Sequence, residues 1–160
     1  MQSKLRHTSK ERGQALVETA LSLMLLIILL MGMVDFGLAF AHRAALANGA
    51  RSGARYGSRF PTNCAAIEWA VVESLSGTLI LEELADLTYD AENPPAWPDE
   101  DLEVIVTGCG AGAERWDELT VETSYPYRPL FGGILGIGDI VLSSTADAYI
   151  AGPDQIMQDP

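Results

Sequence analysis

An unbroken apolar run follows a polar leader near the N-terminus of this chain. The run carries no charge over Ala20–Val34, and Glu18 and Asp35 stand at its edges. A helix over Ala15–Ala41 is long enough to cross a hydrocarbon core about 30 Å thick, which needs about 20 residues. Leu23–Met31 is apolar on every helical face, whereas a helix of a soluble protein usually keeps a polar face. The pattern therefore predicts a transmembrane helix.

Two other interpretations of this run stay open. It is also compatible with a buried core helix of a soluble domain, and with a secretory signal cleaved after Ala39-Phe40-Ala41. The length of the run and the charge of Asp35 speak against a signal. By the positive-inside rule, basic residues ahead of the run predict a cytoplasmic N-terminus and an extracytoplasmic remainder, although four arginines also follow it. The leading basic residues are Lys4, Arg6, Lys10 and Arg12.

The helical pattern continues beyond the apolar run as far as Arg59, and Pro61 is expected to end it. Three glycines recur at every fourth position and so share one helical face, where small residues let another element approach closely. Three arginines form a second row, which is either a solvated face or a set of partners for acidic residues. The glycines are Gly49, Gly53 and Gly57, and the arginines are Arg51, Arg55 and Arg59.

A smaller helix is predicted next, from Cys64 to Leu75, because Thr62-Asn63 resembles a helix start and Ser76-Gly77 a helix end. Its expected apolar stripe is Ala65, Trp69, Val72 and Ser76. The stretch "TLILEELADL" suggests a further short helix, and "DAENPPAWPDED" (residues 90–101) suggests an exposed acidic loop.

Three segments with period-two alternation predict an antiparallel sheet with one apolar face: residues 102–108, 118–127 and 139–150. The linker "RPLFGGILGIG" is either tucked against the core or an exposed apolar contact. The predicted class is α+β, with a long N-terminal helix packed on a small head of one or two helices and about three strands. The predicted divisions are a leader (1–13), a membrane helix (14–41), a helical stalk (42–60) and an extracytoplasmic head (61–160).

Charge and composition restrict the function classes. The net charge is −12, and all but three of the 22 acidic residues follow Pro61, where the only basic residues are Arg115 and Arg128. This argues against binding nucleic acid or lying on anionic lipid. The histidines, His7 and His42, precede the head, so no histidine-based nucleophilic centre or zinc site is expected there. No catalytic residue, metal or cofactor is predicted, although paired carboxylates in an anchored hydrolase stay an alternative.

The chain has two cysteines, Cys64 and Cys109. An extracytoplasmic head permits a disulfide between them, which would close a loop of about 45 residues. Two free buried thiols are the alternative.

The N-terminal stretch "RGQALVETALSLMLLIILLMGMVDFGLAF", followed by the alanine- and arginine-rich "ANGARSGARYGSR", resembles TadE-like proteins. These are minor pilins or pseudopilins of the tight-adherence (Tad/Flp) branch of type IV pili. The resemblance covers about residues 10–60. It implies a structural subunit of a pilus or secretion apparatus, whose partners are other pilin subunits, a prepilin peptidase, an inner-membrane assembly platform and the lipid bilayer.

The resemblance also implies roles for three residues. Gly13 would precede the cut made by the prepilin peptidase, Gln14 would become the new N-terminus, and Glu18 would be the fifth residue of the mature chain. The new ammonium, on the same chain or on a neighbour, would lower the cost of placing the Glu18 carboxylate in lipid. An anchored binding module that forms no filament is the alternative function.

Overall fold

The structure is a computed structural model that describes residues 4–78 and 101–151. Its elements confirm the predicted α+β class, with a long N-terminal helix, a small helix and an antiparallel sheet. Most of "TLILEELADL" and of the acidic loop lies outside the described residues. In chain order the elements are α1 (Lys4–Gly57), α2 (Cys64–Leu75), β1 (Glu103–Thr107), β2 (Glu118–Tyr127), α3 (Gly132–Leu135) and β3 (Ile140–Tyr149).

Helix α1 begins earlier than the expected Ala15 and ends two residues before the expected Arg59. The leader contains neither glycine nor proline between its fourth and twelfth residues, so it is compatible with helix. At the other end, the ring of Pro61 would clash with the carbonyl of Gly57 if the helix continued. The chain turns instead, and the backbone N–H of Phe60 donates to the carbonyl of Tyr56 at 3.0 Å.

The chain divides into two compact units, Met1–Leu38 and Ala39–Pro160. The second, called the head unit below, contains the C-terminal part of α1 together with α2 and the sheet. Residues 42–60, predicted as a helical stalk that packs on the head, lie within this head unit.

Helix α2 starts where the sequence predicts because Asn63 caps it. The Asn63 side-chain oxygen accepts a hydrogen bond from the backbone N–H of Ala66 at 3.1 Å. The expected apolar stripe is wrong at two positions, since Ala65 and Ser76 are both exposed. Larger aliphatic side chains take the buried face instead, and its members are Ala66, Ile67, Val71, Val72 and Leu75.

The sheet has the order β1-β2-β3, and both pairings are antiparallel. Val121 of β2 lies opposite Val106 of β1 and Ala146 of β3. The predicted alternation is confirmed: β2 buries Leu119, Val121 and Thr123, and β3 half-buries the face that begins at Leu142 while exposing the other.

The core of the head unit lies between the inner face of the sheet and the two helices. Thr123 is its buried polar residue, and its hydroxyl lies 3.3 Å from the carbonyl oxygen of Leu46 and 3.2 Å from that of Ser144. The hydroxyl proton can be donated to either carbonyl, so the group is satisfied. The apolar core residues are Leu46, Ala50, Ala54, Ile67, Val71, Val72, Leu75, Leu102, Leu119, Val121 and Ile150.

Candidate functional site

The apolar half of α1 exposes its side chains on every face. Every residue from Leu23 to Leu30 is exposed, with Leu25 at 70%. The helix is long and apolar enough to cross a membrane, and only 6% of its most apolar window is buried. Within the described structure, this segment is therefore not the buried core helix of a soluble domain. Exposure of this kind matches a helix that has lipid as its solvent.

The residues for which the resemblance implies roles in processing and assembly lie where the apolar part of α1 begins. Gly13, Gln14 and Glu18 are all exposed and all helical. Gln14 and Glu18 are four residues apart, so their side chains occupy one face, one turn apart. The hydroxyl of the adjacent Thr19 forms a hydrogen bond within the helix, because its Oγ1 donates to the carbonyl of Ala15 at 2.8 Å. Glu18 thus stands on the surface of the apolar helix.

The glycine row faces the interior of the head unit. A Cβ built on Gly53 would lie 2.5 Å from Cγ2 of Val71 and 3.3 Å from Cγ1 of Val121. A Cβ on Gly57 would collide with Leu119 and would lie 2.9 Å from Cδ1 of Ile67. The absence of side chains at these positions lets α1 approach both α2 and the sheet.

The arginine row lies on the opposite, solvent-facing side. Arg51, Arg55 and Arg59 are exposed, and Nη1 of Arg51 donates to Oδ1 of Asn48 at 3.0 Å. A shallow groove of about 310 Å³ runs along this part of the helix. Its lining residues are Phe40, Arg43, Ala44, Ala47, Asn48 and Arg51.

The two cysteines are bonded, so the predicted disulfide is present and the alternative of two free thiols is wrong. Cys64 opens α2, and Cys109 follows β1, with 5.6 Å between their Cα atoms. A backbone hydrogen bond joins the same two regions, since the N–H of Gly110 donates to the carbonyl of Pro61 at 2.8 Å. The junction between α1 and α2 is therefore fixed to the β1–β2 connection.

An aromatic cluster lies at the other end of the sheet and was missed by sequence reasoning. The ring of His42 is stacked on Tyr125 at a centroid distance of 6.2 Å and lies 5.1 Å from the ring of Tyr127. The available signal was the pair of tyrosines two apart at the end of a predicted strand, which places both rings on one face. Their partner, more than 80 residues earlier, has no local sequence signal.

The histidine, cysteine and carboxylate side chains of the described residues are not gathered into a metal-binding cluster. Among them, no three histidine, cysteine, aspartate or glutamate side chains lie close enough together to hold a metal ion. Burial raises the pKa of the Glu68 carboxyl on α2 above its ordinary value. A single desolvated carboxylate is weak grounds for acid–base chemistry.

These features define a class of protein. Among the described residues, one helix is able to cross a membrane, and an α+β head with an internal disulfide follows it. Residues 13–55 match the family model described as TadE-like protein, which confirms the predicted resemblance over that segment. No curated protein and no solved structure matches the chain. TadE-like proteins are a structural family associated with Tad pili. The match therefore supports an association of this protein with Tad pili and their assembly components, and an N-terminal helix that anchors it in a membrane.

Proposed function

We propose that this protein is a minor pilin or pseudopilin: a single-pass subunit of the inner membrane that joins a Tad-type pilus or secretion apparatus. Its N-terminus is cytoplasmic, its head is extracytoplasmic, and a prepilin peptidase removes residues 1–13. Its further partners are other pilin subunits and the inner-membrane assembly platform. The basic leader supports this orientation, and so does the disulfide, which persists in oxidising compartments.

The observation that carries the proposal is the position of Glu18 on the apolar helix. An isolated carboxylate in hydrocarbon is costly and marks a function by default. Cleavage after Gly13 would create an ammonium on Gln14, one turn before Glu18 on the same face. The same ammonium on a neighbouring subunit would satisfy the carboxylate equally well. Pairing between subunits would set the height at which one helix docks against the next.

The first prediction concerns the mature N-terminus. Protein extracted from membranes of a strain with an active Tad system is expected to begin at Gln14 when its terminal peptide is sequenced by mass spectrometry. A Gly13→Leu variant is the matched control and should retain residues 1–13, because a large side chain replaces the glycine before the cut. Gly13 is exposed, so this change does not disturb packing.

Two results would contradict processing by a prepilin peptidase. A chain that begins at Met1 in such a strain would indicate an uncut anchor, which suits the alternative of an anchored binding module. A chain that begins at His42 would indicate a secretory signal cleaved after Ala41.

The second prediction concerns Glu18. The isosteric variant Glu18→Gln is expected to insert into membranes as the wild type does and to enter the assembly about tenfold less, the factor that 1.4 kcal/mol represents. Insertion should persist because the change makes the helix more apolar. The measurement compares carbonate-resistant protein with protein recovered in sheared pilus fractions or cross-linked to other pilins.

Thr19→Val is the matched control for Glu18, since it alters the adjacent exposed position and leaves the carboxylate in place. It is expected to assemble normally. If Glu18→Gln entered the assembly as efficiently as the wild type, the proposed role of the Glu18 charge would be wrong.

A further inference from the structure

The connection between β2 and β3 carries an uncharged, apolar surface in an otherwise acidic head. Residues 129–138, here called the apolar loop, contain no charged side chain. Leu130 is 67% exposed, Ile134 74% and Ile137 47%, and Val141 just beyond the loop is 70% exposed. The interpretation of this linker as tucked against the core is therefore wrong for these side chains.

The ends of the apolar loop are marked by charge. Arg128 precedes it and lies 3.5 Å from the carboxylates of both Asp101 and Asp139. Arg128 thus forms an ion pair with each of the two aspartates at the base of the loop. Between Arg128 and Asp139 the chain carries only apolar side chains and glycines.

The apolar loop leaves the sheet at one particular end of the head unit. Strand β2 runs antiparallel to the C-terminal part of α1. Its start lies against the end of that helix, its middle against Leu46, and its last residues against His42. The paired positions are Leu119 with Gly57, Val121 with Gly53, Thr123 with Leu46, and Tyr125 and Tyr127 with His42.

His42 directly follows Ala41, the last residue of the predicted membrane helix. The end of the sheet from which the apolar loop leaves is therefore at the level of His42, the first residue after that helix. Tyr125, Tyr127 and His42 cluster at this level, and amphipathic rings favour the boundary between water and lipid.

We propose that the apolar loop inserts into the interfacial region of the bilayer that anchors α1, so that the head unit contacts the membrane at a second point. The occupant of this surface is zwitterionic or neutral lipid rather than anionic lipid, because the rest of the head is acidic and anionic headgroups would repel it. The proposal rests on insertion of α1 into a membrane and is independent of any role in a pilus.

The third prediction tests this contact in the full-length chain, reconstituted into phosphatidylcholine vesicles. An Ile134→Cys variant is labelled with the fluorophore NBD under non-reducing conditions, which keep Cys64 and Cys109 bonded. Emission from position 134 is expected to shift to the blue and to lose more than half its intensity when doxyl-labelled lipid is included. The matched control is Asp147→Cys, which is exposed near the opposite end of β3 and should show neither change.

Gly133→Cys provides a second labelling position in case Ile134→Cys folds poorly, since a Cβ on Gly133 meets no described atom within 4 Å. Water-like emission without doxyl quenching at both loop positions overturns the proposal. A blue shift without doxyl quenching also overturns it, because the loop is then covered by protein, such as a second copy of the chain. Resistance to carbonate extraction is measured on the same vesicles, so that a failed anchor is distinguished from an anchored protein whose loop avoids lipid.

Discussion

We expect the Gly53→Ala variant to lose about 2 kcal/mol of unfolding free energy in the head unit, and Gly53→Leu to lose the folded head. The new Cβ would lie 2.5 Å from Cγ2 of Val71, 3.3 Å from Cγ1 of Val121 and 3.4 Å from the carbonyl oxygen of Ile67. These valines are fully buried and β-branched, so they have few alternative rotamers. Overpacking of this kind costs about 1–3 kcal/mol, and the better helix propensity of alanine offsets about 1 kcal/mol.

The cost at Gly53 should lie at the upper end of this range because a helix, a strand and a backbone carbonyl surround the position. The measurement is thermal unfolding of the full chain in detergent, followed by near-ultraviolet circular dichroism, which reports the packing of aromatic side chains. A loss of about 2 kcal/mol corresponds to a melting temperature lower by roughly 6–10 °C for a unit of this size.

Two alanine substitutions in the same helix serve as matched controls. Gly37→Ala adds a Cβ that meets no described atom within 4 Å, and the melting temperature of the head should not fall. Gly49→Ala places its Cβ 3.1 Å from Cγ of Leu75 and 3.2 Å from Cγ1 of Val71, so a shift of a few tenths of an ångström accommodates it. A Gly53→Ala variant as stable as Gly37→Ala would show that close approach of α1 is not what this glycine provides.

Sequence reasoning succeeded where the physical signal is local. The sequence predicts the strands because alternation of period two reports directly which face is buried. The alternation begins at Leu142 of β3 and continues to Ile150, just after the strand. The start of α2 was predictable for the same reason: the Asn63 cap is satisfied by a backbone group three residues away. The apolar run of α1 needs no tertiary partner to identify it.

The sequence did not predict which face of a helix is buried where that face is determined by the elements that pack against it. Helix α2 is apolar over most of its surface, so its sequence does not specify which stripe is buried. The packing of α2 against both α1 and the sheet selects Ile67, Val71 and Leu75, and leaves Ala65 exposed. The same holds for His42, whose tyrosine partners come from a strand remote in sequence.

The candidate site was predictable in part. Two cysteines leave a single possible pairing within the chain, but whether they are bonded depends on a separation that the sequence does not contain, here 5.6 Å between Cα atoms. The apolar linker left two interpretations open because its composition suits both a buried and an exposed loop. Its exposure and its place at the His42 end of the sheet required the structure.

The Cys64→Ala/Cys109→Ala variant is expected to lose about 2–4 kcal/mol of unfolding free energy. The bond joins residues 45 apart, and the chain-entropy model assigns a loop of that length about 4 kcal/mol of stabilisation through the unfolded state. Closure of a loop of this length restricts the conformations open to the chain once the head has unfolded. The expected fall in melting temperature is roughly 6–20 °C.

Dithiothreitol separates the effect of the cross-link from the effect of removing two sulfur atoms. It should lower the melting temperature of the wild type towards that of Cys64→Ala/Cys109→Ala and leave the variant itself unchanged. The hydrogen bond from the N–H of Gly110 to the carbonyl of Pro61 does not involve either sulfur, so we expect it to persist in the folded variant. A wild type whose melting temperature is insensitive to reductant, after mass analysis has shown its disulfide fully reduced, would mean that packing alone fixes this junction.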